Sequence, residues 1–220
     1  MNREEESWIA QTVAHVKSEQ LGEGSGHDWW HTYRVWKNAR QIAQSEIEAD
    51  LVIVELAALL HDIADHKFHG GDLEIGPKEA RMWLERIQVP QNYIQKIVEI
   101  IANLSFKGAK VPETMKSIEG KIVQDADRLD AIGAIGIGRT FAYGGYAGQE
   151  MYDPSLSPTL HTSFESYSHN KSTTVNHFYE KLLLLKDRMH TPTAKQLAKE
   201  RHEFMENFLK RFFQEWEGKS

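Results

Sequence analysis

A chain of 220 residues is long enough for one well-buried core, and no compositional shift divides it, so a single domain spanning 1–220 is expected. Cysteine is absent, which excludes disulfides and thiolate metal sites and leaves only nitrogen and oxygen ligands for any cation. The formal net charge of -6 argues against a surface that neutralises a nucleic-acid backbone, although a local basic pocket can still receive the phosphate of a small substrate.

The opening "MNREEESWIAQ" lacks a basic stretch followed by an apolar one, and the greasiest segment is short and interrupted by Glu55. Neither a secretory leader nor a membrane span is expected, and the protein reads as cytoplasmic.

In chain order, apolar residues recur at three- and four-residue intervals, and no run alternates strictly enough for a half-buried strand, so the expected fold is all-α. The pattern predicts helices over Glu4–Glu19 and Trp29–Ser45, then one from the N-cap Asp50 to about Ala64. Glycines at 70, 71 and 76 mark a loop. Pro77 opens a helix to about Ile87, and after Val89-Pro90 another follows with Ile94, Ile97, Val98 and Ile101 facing inward.

"SIEGKIVQDADRLDAIGAIGIGRTFAYGG" reads as one long helix, in which Ala131, Gly133, Ala134 and Gly136 would let a neighbouring helix approach closely. Its glycines follow no strand and precede no lysine-serine or lysine-threonine pair, which disfavours a phosphate-cradling loop. The aperiodic stretch 144–172 is a candidate lid. The C-terminal part, 173–217, carries two helices, "TTVNHFYEKLLLLKDRM" and "TAKQLAKERHEFMENFLKRFFQEWEG". The second bears Phe204, Phe208, Phe212 and Trp216 at near-helical spacing, a stripe suited to a core or to the seam of a homodimer.

The chemistry concentrates where the third helix ends, in "LLHDIADHKFH", with His61, His66 and His69 beside Asp62 and Asp65. Adjacent residues diverge by about 100° on a helix, but near its terminus His61 and Asp62 can still reach one ion. Two ligands do not complete a site. Imidazole and carboxylate from other helices suit Mn, Fe, Co, Ni, Zn or Mg, and candidates stand at His31 in "HDWWHTYRV" and Asp127 in "VQDADRLDAIG". Each alone is read more simply: His31 as a helix contact, Asp62 as a helix-terminal charge.

Taken together, "HTYRV", "LLHDIAD" and "DADRLD" resemble the H…HD…D signature of the HD-domain superfamily of metal-dependent phosphohydrolases, over roughly Gly26 to Gly138. "SFKG" and "NHFYEKLLLLKDRM" extend the resemblance to the small stand-alone bacterial subgroup similar to the Bacillus nucleoside triphosphate pyrophosphohydrolase. The resemblance implies a helical HD-type bundle with additional C-terminal helices. It also implies one divalent metal ion held by His31, His61, Asp62 and Asp127.

A bound divalent ion acidifies water and neutralises phosphate oxygens, so hydrolysis at phosphorus is the expected chemistry. Asp65, four residues after His61, is the candidate to orient or deprotonate the attacking water; the alternative is an ion pair with Lys67, Arg34 or Arg128. His27, His66, Lys67, Lys107 and Arg128 lie beside the motifs and are candidate phosphate contacts, although Arg128 can instead pair with Asp125 or Glu119. Arg34 is a candidate tether for Asp127 or Asp130. Asn103 and Tyr143 are candidates for reading a base or sugar.

The expected activity is release of pyrophosphate from a nucleoside or deoxynucleoside triphosphate. A 5'-nucleotidase, an alarmone-type hydrolase and a noncatalytic metal and nucleotide sensor are the alternatives.

Overall fold

The computed structural model describes residues 1–20, 28–64, 74–104, 115–159 and 172–219. Every regular element among the described residues is helical, as the periodicity requires. They are α1 (Arg3–Gln20), α2 (Trp29–Ala43), α3 (Leu51–Leu60), α4 (Ile75–Arg86), α5 (Gln91–Asn103), α6 (Ile118–Asp130), α7 (Gly133–Tyr146), α8 (Thr174–Glu180), a 3₁₀ helix (Leu182–Arg188) and α9 (Pro192–Trp216). The chain divides into two compact units, Met1–Phe106 with Glu113–Asp127, and Lys107–Pro112 with Arg128–Ser220.

In the first unit α3 is the central element, packed against α1, α2 and α5. Asp50 caps it by accepting from the Val52 N–H at 3.0 Å, and residues 52–60 are all buried. A helix that is apolar on every side has no solvent face to offer. Its single charge, Glu55, is held by the Trp36 indole N–H at 2.7 Å and lies 3.5 Å from Arg40 Nε. α1 joins α4 through Thr12, whose hydroxyl accepts from Trp83 Nε1 and donates to the Trp8 carbonyl. Between α4 and α5 the chain turns at Gln88, in the left-handed region with φ 62°, and Pro90 starts α5. The buried face of α5 is Ile94, Ile97, Ile100 and Ile101. Ile100 takes the place expected of Val98, which is half-buried.

In the second unit the expected long helix is broken. α6 closes at Asp130 with tight turns from Ala131 to Arg128 and from Ile132 to Leu129. Ile132 is extended, and Gly133 has φ 76°, a conformation costly for any side chain but trivial for glycine. Gly133 also abuts the aliphatic stem of Arg201 on α9, which is the close helix approach that the small residues suggested. At Gly136 the close neighbour is instead the Ala131 carbonyl, part of the same bend.

The expected helix over 173–189 is likewise two elements. Lys181 leaves helical geometry (φ -141°, ψ -58°), and the leucine run continues as a 3₁₀ helix. Three residues per turn place Leu182 and Leu185 on one side, and both are buried.

α9 starts cleanly, with Thr191 accepting from the Ala194 N–H and Pro192 at its first position. Its buried face is Ala194, Ala198, His202, Met205 and Leu209. The aromatic stripe lies beside that face: Phe208 and Phe212 meet Phe141 at centroid distances of 5.9 and 6.4 Å, while Phe204 and Trp216 remain exposed.

Of the stretch 144–172, residues 144–146 complete α7, and the part up to 159 is anchored to α8. The Glu150 and Met151 carbonyls accept from the Thr174 and Val175 N–H groups, and Asn176 donates to the Leu156 carbonyl. Glu180 Oε1 accepts from both the Thr159 N–H (3.0 Å) and the Ser172 hydroxyl (2.8 Å). Residues 160–171 lie outside the described residues.

Candidate metal centre

The first unit brings His31, His61, Asp62 and Asp127 together, each for a readable local reason. Asp28 is the N-cap of α2 and accepts from the His31 N–H at 2.9 Å, so the cap itself orients the turn that carries His31. α3 ends earlier than expected, at Leu60; His61 is its C-cap, and residues 61–64 form turns. That turn resolves the problem of two adjacent ligands, because they no longer need to share one helical face. Asp127 lies on the last full turn of α6, where Asn38 of α2 donates to the neighbouring Ala126 carbonyl at 3.5 Å.

The ligand atoms converge closely. His31 Nε2 and His61 Nε2 are 3.2 Å apart. Asp62 Oδ2 lies 3.3 Å from His31 Nε2 and 3.5 Å from His61 Nε2. Asp127 Oδ1 lies 3.5 and 3.9 Å from the same two nitrogens. Ligand atoms about 2.1 Å from a shared ion and at right angles to each other are about 3.0 Å apart, so the separations among His31, His61 and Asp127 fit a common cation, with Asp62 beside both imidazoles.

Proton placement agrees. His61 Nδ1 is 2.8 Å from the Ala58 carbonyl, which can only accept, so Nδ1 carries the hydrogen. In the neutral ring this leaves the Nε2 lone pair directed at the cluster, the arrangement that a carbonyl behind a metal-binding imidazole enforces. Two imidazole nitrogens at 3.2 Å flanked by carboxylate oxygens are chemically consistent with a divalent ion of the hard or borderline class.

Burial is graded across the cluster. The side chains of His31 and His61 are 1% and 4% exposed, Asp62 19%, and Asp127 39%. The histidines form the floor, and the Asp127 side is the more exposed to solvent.

The other sequence-level candidates fare differently. His27, Asp65, His66, Lys67 and Lys107 lie outside the described residues. Arg128, in the second unit, is buried; its guanidinium donates to the Arg188 carbonyl and lies 3.3 Å from His190 Nε2. Of its suggested partners, Glu119 accepts from the Asp50 N–H. Asp130 accepts from Arg139 at 2.9 Å. The Asn103 amide donates to the Glu99 carbonyl, and Tyr143 is exposed.

Two supporting residues were not anticipated from sequence. Asp28 was legible as a polar residue just before a helix. Gln20, which reaches the Asp62 carbonyl from the end of α1, was not.

Similarity to known proteins matches this geometry. The HD domain family model matches residues 29–132, which contain all four ligand candidates. The YpgQ protein of Bacillus subtilis is 41% identical over 196 residues, covering 89% of this chain and 87% of YpgQ. The chain therefore belongs to the HD-domain family. Among solved structures, a protein from Lactobacillus plantarum is similar with a TM-score of 0.84 at 36% identity, over 97% of this chain and 98% of that one. An HD-superfamily hydrolase from Bacillus thuringiensis is similar with a TM-score of 0.75 at 43% identity, over the same shares. A crystal structure of Bacillus subtilis YpgQ in complex with ADP has a TM-score of 0.77 at 35% identity, over 96% of each chain. Among the described residues no helix is long and apolar enough to cross a membrane.

Proposed function

We propose that this chain is a cytoplasmic metal-dependent phosphohydrolase that cleaves nucleoside or deoxynucleoside triphosphates to monophosphate and pyrophosphate. The observation that carries the reading is the convergence of His31, His61 and Asp127 on one partly open cluster, with the Asp62 carboxylate 3.3 and 3.5 Å from the two imidazole nitrogens. The ADP complex of YpgQ supports a nucleotide as substrate class. His31, His61, Asp62 and Asp127 would hold the ion.

A divalent ion in that cluster supplies a Lewis acid for phosphate oxygens and lowers the pKa of water. The chain's own residues do the rest. The Ala58 carbonyl keeps the His61 hydrogen on Nδ1, so the ring offers its Nε2 lone pair as a ligand. The nearly buried histidine floor excludes bulk water from one side, and the exposed edge at Asp127 admits the phosphate chain. Asp65 would orient or deprotonate the attacking water. His27, His66, Lys67 and Lys107 would neutralise the phosphate oxygens that the ion does not reach.

Hydrolysis of a nucleotide panel with Mn, Mg, Co or Ni, followed by chromatography of the products, tests the reading. The expected products are pyrophosphate and a nucleoside monophosphate. Orthophosphate released from monophosphates would make the protein a 5'-nucleotidase, and turnover confined to alarmones would make it an alarmone-type hydrolase. Tight nucleotide binding without turnover under every metal would make it a sensor.

A further inference from the structure

One buried side chain links two of the ligand-bearing segments. Gln20, the last residue of α1, is 7% exposed, and Thr32, next in sequence to His31, is fully buried. The Gln20 amide nitrogen donates to the backbone carbonyl of Asp62 at 3.2 Å, and the Thr32 hydroxyl donates to the Gln20 amide oxygen at 2.8 Å. The amide orientation follows from the partners. A carbonyl only accepts, so the NH₂ group must face Asp62, and the oxygen is left for the hydroxyl.

The consequence is mechanical. Asp62 follows the end of α3 and its C-cap His61, where the helix no longer fixes the peptide planes. Rotation of that peptide would swing the Asp62 carboxylate away from His31 Nε2, now 3.3 Å distant. Gln20 holds the peptide from one side and is itself held by the residue next to His31. Sequence separations of 42 and 12 residues are thus closed by a single amide.

We propose that Gln20 is a positioning residue of the metal centre, locking the Asp62 peptide to Thr32 so that His31 and Asp62 keep their spacing before a cation binds. The proposal rests on the reading of the four-residue cluster as a divalent-metal site. Groups that orient ligands in this way typically alter metal affinity by 10- to 100-fold when removed.

The test is calorimetric titration of the metal-free full chain with MnCl₂, with circular dichroism to follow folding. Gln20→Met keeps the length and loses both hydrogen bonds; Thr32→Val loses the hydroxyl, and Thr32→Ser retains it. Mn affinity should fall about 10-fold or more in Gln20→Met and by a smaller factor in Thr32→Val. It should stay near native in Thr32→Ser, and Gln20→Met/Thr32→Val should bind no more weakly than Gln20→Met alone. The manganese EPR line shape should broaden in Gln20→Met, reporting a less uniform ligand shell.

Native-like Mn affinity in Gln20→Met, with His61→Ala losing binding as the control, would overturn the role of Gln20 and leave the metal site standing. A lower melting temperature with unchanged Mn affinity would also overturn it, reducing Gln20 to a packing residue. Should Gln20→Met fail to fold, native affinity in Thr32→Val would overturn it equally. Absence of Mn binding by the native chain would instead remove the metal-site reading and this proposal with it.

Discussion

In the first unit the carboxylate oxygens of Asp62 and Asp127 lie 3.3 to 3.9 Å from two imidazole nitrogens that are themselves 3.2 Å apart. In the second unit, donors meet acceptors: Arg139 pairs with Asp130 at 2.9 Å, Arg201 donates to the Leu129 carbonyl and Arg128 to the Arg188 carbonyl. Both groups are built around the same α6, Asp127 in one unit and Arg128 to Asp130 in the other. Arg201 and Arg139 supply donors to the buried Leu129 carbonyl and Asp130 carboxylate at the C-terminal end of α6, and Arg128 does the same for the last carbonyl of the 3₁₀ helix, which satisfies helix-end acceptors and complements the helix dipole. Carboxylates gathered around facing imidazoles do neither. The contrast separates a polar cluster that stabilises a fold from one that is arranged for a ligand.

The sharpest way to break this contrast is to remove a ligand. Asp127→Ala should lower nucleotide hydrolysis on the order of 10³-fold or more. Without metal, however, the variant should melt at or above the native temperature, because one of the converging carboxylates is gone. With Mn at about 100 times its Kd the native chain should gain about 2.7 kcal/mol, a rise in melting temperature of about 5–10 °C, and Asp127→Ala should lose most of that rise. Differential scanning calorimetry with and without chelator measures both, and a strongly destabilised metal-free Asp127→Ala would contradict the contrast.

Arg139→Ala should behave in the opposite way. Asp130 is 1% exposed, and removing a partner from a buried carboxylate typically costs about 3 kcal/mol. Denaturant titration should show that loss while Mn affinity stays native, and a parallel fall in Mn affinity would count against the separation.

A smaller effect concerns pH. Burial, reinforced by Lys181, pushes the His177 imidazole of α8 down to about 3. The unfolded chain binds the proton near pH 6.5 and the folded chain does not, so between about pH 6.5 and 3 stability rises with pH and is lost on acidification. Because the residue retains some solvent contact, the loss from pH 7 to pH 5 should be about 1–2 kcal/mol. His177→Phe should flatten that slope, and an unchanged slope would assign the acid sensitivity to other groups.

The smallest effect is expected at Arg211 and Glu215, an exposed pair 2.7 Å apart near the end of α9. Arg211→Ala should change stability by less than about 0.5 kcal/mol by thermal melt, since solvent screens such pairs.

How much was readable before the structure differs by element. Asp50 capping α3 and the turn at Val89-Pro90 were visible because capping and proline chemistry act over four or five residues, and the last helix was read to within one residue of its start at Pro192. The break between α6 and α7 was not. Its glycines could serve close packing or a left-handed turn, and only Gly133 adopts the latter. The run of leucines at 182–185 is composed of strong helix formers, yet burial of Leu182 and Leu185 selects a tighter helix than propensity alone would. At the site, the spacing of His31, His61-Asp62 and Asp127 was legible as a motif. The support from Gln20 left no local pattern, since its partners are distant in sequence.

The linear order of residues determined which side chains are available: no thiolates, a histidine after an N-cap, a histidine-aspartate pair ending an apolar helix, and an aspartate on a later amphipathic helix. These depend on composition and on interactions within one or two helical turns. Tertiary packing decided that the pair lies in a turn beyond α3, that the imidazole nitrogens face each other, and that a glutamine from α1 braces them. Such choices follow from burying α3 against α1, α2 and α5 at once, a constraint that no single segment contains.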